Sequence, residues 1–232
     1  MERVSVEAKV LKKNDEFAAE NRALFEARRL VVFNMWSAPG AGKTTLLERT
    51  LKELEGRLRI GVIEGDIQTE IDADRIRSAG APAYQINTSR CHLEANMIQE
   101  ALERFPVDEL DVLIIENIGN MVCPASYDLG EHARIMLYSS TEGAEKPRKY
   151  PKMFFRSDCV LLNKVDLVPY TNVSVDELRA NVLAVSPRAV VLPISCRTGE
   201  GFSAWIDWLT AAVERQREAF HVSGGARTNP GD

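Results

Sequence analysis

Apolar residues along this chain fall into short runs, separated by longer stretches where they recur every three or four positions. The runs are LVVFNMW (30–36), LRIGVIE (58–64), PAYQIN (82–87), DVLIIEN (111–117), ARIMLYS (133–139), CVLLNKV (159–165) and AVVLPIS (189–195). Several are nearly continuous rather than alternating, as strands buried on both faces are. Between them, residues 43–55, 70–79, 92–105, 175–185 and 202–219 carry helical spacing. Residues 5–28 do so as well, with Val6, Val10, Phe17, Leu24 and Phe25 near one stripe. Strand and helix in alternation predict parallel βαβ units, hence an α/β fold with a doubly wound, mostly parallel sheet behind an N-terminal helix.

The pattern divides the chain into an N-terminal helical extension (1–28), a main domain (29–219) and a tail (220–232) whose HVSGGARTNPGD predicts disorder. Residues 141–157, basic and with two prolines, are expected to form a surface excursion. No internal repeat is visible.

Composition narrows the partners. A formal net charge of −5 gives no nucleic-acid footprint. The start, MERVSVEAKVLKKNDEF, has no apolar core, so no signal peptide is expected. No apolar run approaches the ~20 residues of a membrane span. The four cysteines, at 91, 123, 159 and 196, make no disulfide framework, so any functional one points to metal or catalysis.

SAPGAGKTT (37–45) follows the first strand and opens a helix. It matches the end of a G-x-x-x-x-G-K-[ST] phosphate loop, with Ser37 in the place of the first glycine. Gly40, Ala41 and Gly42 let backbone N–H groups turn toward phosphate oxygens, and the helix N-terminus faces the same anion. Lys43 is expected on the β/γ-phosphates and Thr44 on Mg²⁺, with Thr45 beside the nucleotide. Asp66 closes the second strand and Glu116 the fourth, followed by Gly119. Strand ends face the ligand in such sheets, so either acid can hold Mg²⁺ or orient the attacking water. Asp72 is a weaker candidate for Mg²⁺. The alternative is that these acids cap helices or face solvent.

NKVD (163–166) then selects the base. Guanine presents N1–H and N2–H₂ side by side, and a carboxylate accepts both, here Asp166. Asn163 is placed to bridge base and phosphate loop, and the Lys164 stem to lie over the base. The loop ISCRTGEG (194–201) offers backbone N–H groups around Ser195, Cys196 and Arg197 to guanine O6. GTP or GDP, with Mg²⁺, is the expected ligand.

Cys91 and His92 adjoin one another where a helix is expected to start, and Cys123 follows Glu116 by seven residues in ENIGNMVCPASYDLGEH. All three leave the sheet at its nucleotide edge. A helix N-terminus lowers a thiol's pKa and favours the metal-binding thiolate. Thiolate and imidazole suit Zn²⁺ or Ni²⁺. Three ligands leave one tetrahedral position for water or for a second subunit. The alternative is a buried cysteine and a helix-capping histidine without metal. Cys159 and Cys196 are expected in the packing, and His132 and His221 are given structural roles.

Over roughly residues 30–205 the chain resembles the HypB family of nickel-insertion GTPases in [NiFe]-hydrogenase maturation. The matching stretches are SAPGAGKTTLLE, VIEGDIQTEIDADRIRSAGAPAYQINT, CHLEANMIQEAL, ENIGNMVCPASYDLGEHARIMLYSSTEG, EKPRKYPKMFFRSDCVLLNKVDLVPY and ISCRTGEG. The resemblance implies a cytoplasmic GTPase of the SIMIBI class of P-loop proteins. It implies a homodimer promoted by GTP and metal, and a Ni²⁺/Zn²⁺ site at the subunit interface built from Cys91, His92 and Cys123. It also implies a HypA-type metallochaperone as partner and delivery to the hydrogenase large-subunit precursor. Two features depart from the family. Residues 1–28 contain neither Cys nor His, so a separate nickel-storage motif is not expected there. The loop NTSRCHLE is one residue shorter than the NTGKGCHL form, which bears on the reach of Cys91. No arginine finger is evident, so slow intrinsic turnover is expected. The rivals are a urease-type maturation GTPase, whose Cys-Pro-His order is absent here, and a non-catalytic metal-binding scaffold.

Overall fold

The computed structural model describes residues 6–66 and 71–225. All seven expected strands form: β1 (Val31–Ser37), β2 (Ile60–Asp66), β3 (Ala83–Asn87), β4 (Val112–Glu116), β5 (Ala133–Ser139), β6 (Cys159–Asn163) and β7 (Val190–Pro193). They make one sheet in the order β3-β2-β4-β1-β5-β6-β7, every pair parallel. The helices are α1 (Val6–Ala27), α2 (Lys43–Glu53), α3 (Ile71–Ser78), α4 (Ala95–Leu102), α5 (Lys146–Lys149), α6 (Pro151–Phe155), α7 (Val175–Val185) and α8 (Phe202–Gly225). No described helix is long and apolar enough to cross a membrane.

Alternation along β1 shows how the layers are built. Val31, Phe33 and Met35 face a core shared with Leu46 and Leu47 of α2, Ile76 of α3 and Trp205 of α8. Val32 faces the other side, toward Phe25 of α1 and Ile98 of α4. Trp36 points the same way, but into a separate cluster with Phe154 of α6 and Leu178 of α7. Between Val32 and Trp36 on that face lies Asn34, fully buried. A polar side chain thus occupies the seam between two apolar clusters.

β1 is flanked by β4 and β5, and strands are added to both sides of it. The cleft at such a switch point, outside the strands' carboxyl ends, is where open α/β sheets bind ligands. Four of those ends carry Ser37, Asp66, Glu116 and Asn163.

Four expectations change. The buried stripe of α1 is Asn14, Ala18, Asn21 and Phe25, while Val10 stays exposed. The asparagines are buried because their amide nitrogens are used. Asn14 accepts from the Ala95 N–H at 2.9 Å and donates to the Asp128 carbonyl at 2.8 Å. Asn21 donates to the carbonyls of Ala95 and Leu129. Buried polar groups persist where they are hydrogen-bonded. Second, the 141–157 excursion is packed: Pro147 and Pro151 open α5 and α6, and Met153 and Phe154 are core residues. Proline suits a helix's first turn because that N–H has no intrahelical partner. Third, α4 begins at Ala95, with Glu94 as its N-cap, so Cys91 and His92 precede the helix. Fourth, α8 continues past 219 to Gly225. Residues 226–232 of the expected tail lie outside the described residues.

His132 gives the fold an acid sensitivity. Its Nδ1 accepts the Val32 N–H at 2.9 Å, and the ring lies between Phe25 and Phe220. Burial, followed by the charge of Arg22, lowers its pKa to about 4. The unfolded chain, with histidine near 6.5, binds the extra proton first. The stabilising contribution is therefore complete above about pH 6.5 and is lost as pH falls toward 4. It amounts to at most about 3 kcal/mol. Urea unfolding at pH 7 and pH 5 should show this loss. His132→Gln, which retains an acceptor for Val32, should remove most of the difference; an unchanged pH slope would overturn the assignment.

Candidate functional site

The phosphate loop connects β1 to α2. Gly42 caps α2 with φ +104°, and a Cβ there would lie 2.8 Å from the Asn163 amide nitrogen. Only glycine meets both demands without strain. Ser37, in the place of the first glycine, has its own use. Its hydroxyl accepts from Lys43 Nζ at 3.0 Å and donates to the Ala38 carbonyl at 2.6 Å. Thr44 is buried in the first turn of α2.

Lys43 Nζ also lies 3.6 Å from Glu116 Oε1. Glu64 stands in register with Glu116 on the neighbouring strand, and both are buried. Sequence reasoning missed Glu64. Its signal was the period-2 alternation that places it on the same strand face as Asp66. Burial raises both carboxyls above the usual range. The Glu116 charge raises Glu64 further, and Lys43 pulls both down. Asp72 adds to the repulsion on both, and Asp66 to that on Glu64. Asp72 itself pairs with Arg75, which is held by Glu48 of α2. The structure thus gathers Lys43, Glu64 and Glu116 by contact and couples Asp66 and Asp72 to them through charge. Glu64 Oε1 and Glu116 Oε2 are buried without a hydrogen-bond partner. Two orphaned carboxylate oxygens beside a phosphate loop fit a hard cation such as Mg²⁺. Beyond β4, Gly119 packs so closely on Pro39 of the phosphate loop that a Cβ would sit 3.1 Å from its backbone.

At the other end of the loop, Asn163 donates to the Ala41 carbonyl at 2.8 Å and accepts the Cys196 N–H at 3.2 Å. Lys164, in the left-handed region, donates to the Gly40 carbonyl at 2.7 Å. Asp166 accepts the Ser195 hydroxyl at 2.6 Å. Gly42, Thr45, Lys164, Asp166 and Arg197 line a cleft of about 370 Å³. The backbone N–H groups of Ser195 and Cys196 are not spare: they bond the Glu200 carbonyl and Asn163. Ser195 orients Asp166, and Cys196 packs beneath the loop with burial pushing its thiol up to about 12. Cys159 is likewise core, and His221 lies on the exposed side of α8.

The third group is Cys91, His92 and Cys123, whose ligand atoms all lie within 4.8 Å of one another. The Sγ atoms are 2.9 Å apart, and His92 Nδ1 is 3.6 Å from Cys91 Sγ. The short NTSRCHLE loop therefore does not prevent Cys91 from reaching its partners. His92 turns Nε2 toward Glu94 at 3.3 Å, and its ring stacks on Tyr127 at 3.9 Å. A carboxylate behind the second ring nitrogen fixes a metal-binding imidazole. Burial lowers the His92 pKa, keeping the ring neutral. Asn120 accepts the N–H groups of Val122 and Cys123, which sets the thiol's direction. The expected help from a helix N-terminus is absent, because α4 starts further on. The Cys123 thiol is instead raised, first by its hydrogen bond with Cys91.

Residues 31–193 match the CobW/HypB/UreG nucleotide-binding domain family. The hydrogenase maturation factor HypB of Escherichia coli K12 is 50% identical over 207 residues, covering 89% of this chain and 71% of that protein. The crystal structure of HypB from Helicobacter pylori in complex with nickel is similar at TM-score 0.83 and 38% identity, covering 90% of this chain and 97% of that one. HypB from Archaeoglobus fulgidus gives TM-score 0.82 at 35% identity, over 87% and 99%. With this identity along most of its length, and the motifs on a common fold, the chain belongs to the HypB family of hydrogenase maturation factors.

Proposed function

We propose that the protein is a GTP-hydrolysing metal switch that binds nickel or zinc at Cys91, His92 and Cys123 and assists nickel insertion into [NiFe]-hydrogenase. One observation carries the reading. The segment that begins at Glu116, 3.6 Å from Lys43, ends at Cys123, 2.9 Å from Cys91. A loop that orders around a γ-phosphate therefore also carries a metal ligand. Affinity for metal and for nucleotide are then linked, and the linkage is reciprocal.

Lys43 and the loop N–H groups hold the phosphates in line. Thr44, with carboxylates drawn from Asp66, Asp72, Glu116 and Glu64, would hold Mg²⁺, which neutralises charge on the phosphate oxygens. Asp66 or Glu116 orients the attacking water. Turnover is slow, as in GTPases that act without an arginine finger. Three protein ligands leave one tetrahedral position, taken by water or by a ligand from a second subunit. The site can then release its cargo when the homodimer opens, and the homodimer depends on GTP and metal. A HypA-type metallochaperone and the hydrogenase large-subunit precursor are the partners. The test is nickel and zinc stoichiometry together with solution mass, in GDP and in a non-hydrolysable GTP analogue, on wild type and Cys91→Ala. Metal that tightens with the analogue and vanishes in the variant supports the switch; metal indifferent to both refutes it.

Base selection is tested separately. Asp166 offers two acceptors to guanine N1–H and N2–H₂. Asn at 166 offers one acceptor and one donor, the complement of xanthine's N1–H and O2. Asp166→Asn should weaken GTP by about 100-fold and favour XTP over GTP. Competitive displacement of a fluorescent guanine nucleotide measures both, and retained GTP preference would move base reading elsewhere.

A further inference from the structure

Between the two sites runs a buried polar chain that neither site uses directly. Asn117, next after Glu116, is 1% exposed. Its own N–H is fixed to β1 through the Met35 carbonyl at 3.0 Å. Its Oδ1 accepts two backbone N–H groups, from Leu93 at 3.2 Å and Ile118 at 3.0 Å. Leu93 follows His92 directly. Asn117 Nδ2 donates to Asn34 Oδ1 at 3.3 Å. Asn34 passes the connection on, donating to Glu131 Oε1 at 3.4 Å. Glu131 Oε2 accepts the Leu129 N–H at 2.7 Å, where the Cys123 loop ends, and Arg134 pairs with the same carboxylate.

One side chain therefore touches the residue after His92, and through Asn34 and Glu131 it reaches the far end of the Cys123 loop. This is the seam between the two apolar clusters, so a displaced donor finds no water to replace its partner. Leaving such a group unpaired is costly, and a shift at 116–117 is transmitted rather than absorbed.

We infer that Asn117 is the positioning residue that couples nucleotide state to the metal ligands, its amide tying the carboxyl end of β4 to the backbone behind His92. The inference rests on the switch reading above. A purely structural asparagine would lower stability in every variant yet leave the linkage between the two ligands intact.

The experiment measures Zn²⁺ affinity by competition with a chromophoric chelator, in GDP and in a non-hydrolysable GTP analogue, for wild type and Asn117→Ala. Wild type is expected to give an affinity ratio between the two states in the range of about 5–150-fold. In Asn117→Ala the ratio should collapse to within about twofold of unity, while nucleotide affinity stays within about threefold. A wild-type ratio of one refutes the switch itself and this inference with it. A wild-type ratio that Asn117→Ala preserves refutes the inference alone. Should the variant fail to fold, amide hydrogen exchange on wild type decides: protection at Leu93 and Leu129 must change between the two nucleotide states, and unchanged protection overturns the role.

Discussion

Lys43→Met is expected to reduce GTP hydrolysis by at least about 1,000-fold while leaving metal binding in the absence of nucleotide within a few-fold of wild type. Removing one preorganised donor from a charge-stabilising site already costs roughly 100- to 1,000-fold. Lys43 does more than donate. It is tethered by Ser37 at 3.0 Å and stands 3.6 Å from Glu116, as the main cation lowering the raised pKa of both Glu64 and Glu116. Without it both buried carboxyls are pushed still further above the usual range, which favours their protonated forms and weakens the cation site. The variant thus loses phosphate charge neutralisation and part of the cation site together. A protonated pair leaves no uncompensated charge in the core, so folding should survive. Lys43→Arg is not expected to rescue, because a planar fork does not replace a point charge in a loop shaped around it. Phosphate release and metal stoichiometry on one preparation test this. Hydrolysis within tenfold of wild type would remove Lys43 from its role.

Cys123→Ser should do the reverse: metal binding weakens by at least about 100-fold, and GTP binding stays near wild type. That figure is a floor, since loss of a ligand's outer-shell partner alone costs about 10–100-fold. Serine keeps nearly the same volume and leaves the Asn120 contacts to residues 122 and 123 available, so the loop should hold its shape. What changes is the ligand atom. A hydroxyl does not ionise near neutral pH and is a hard donor, unsuited to Ni²⁺ or Zn²⁺ beside a thiolate. Cys91→Ser should look the same, and the double variant little worse than either single one, because the residues act as one site. Equilibrium dialysis with nickel and zinc reads the result. Full stoichiometry in Cys123→Ser would dissolve the three-residue site.

Much of this was legible in the sequence. Strands β1, β4 and β6 appear as apolar runs because the interior of a doubly wound sheet is buried on both faces, while the edge strands β3 and β7 are only partly covered. The phosphate loop and NKVD were legible because each is a contiguous segment whose chemistry depends on local spacing. Other features needed the third dimension. The Asn14 and Asn21 stripe reads as polar and exposed until Ala95, Asp128 and Leu129 are brought against it. Glu64 reads as one more acid until β4 sets Glu116 in register beside it.

The sequence by itself determined the fold class, the GTP motifs and the three soft side chains, Cys91, His92 and Cys123, proposed as metal ligands. These follow from periodicity and from residue chemistry at short range, which survive without coordinates. Only the tertiary structure decided that Cys91 and Cys123 meet, that His92 presents Nδ1 to Cys91 with Glu94 behind, and that the Ser195 hydroxyl donates to Asp166. It alone placed Asn117 between the two sites. Contacts across 24 to 32 residues of chain are set by strand order and by the packing of loops on one sheet edge, which no local pattern encodes.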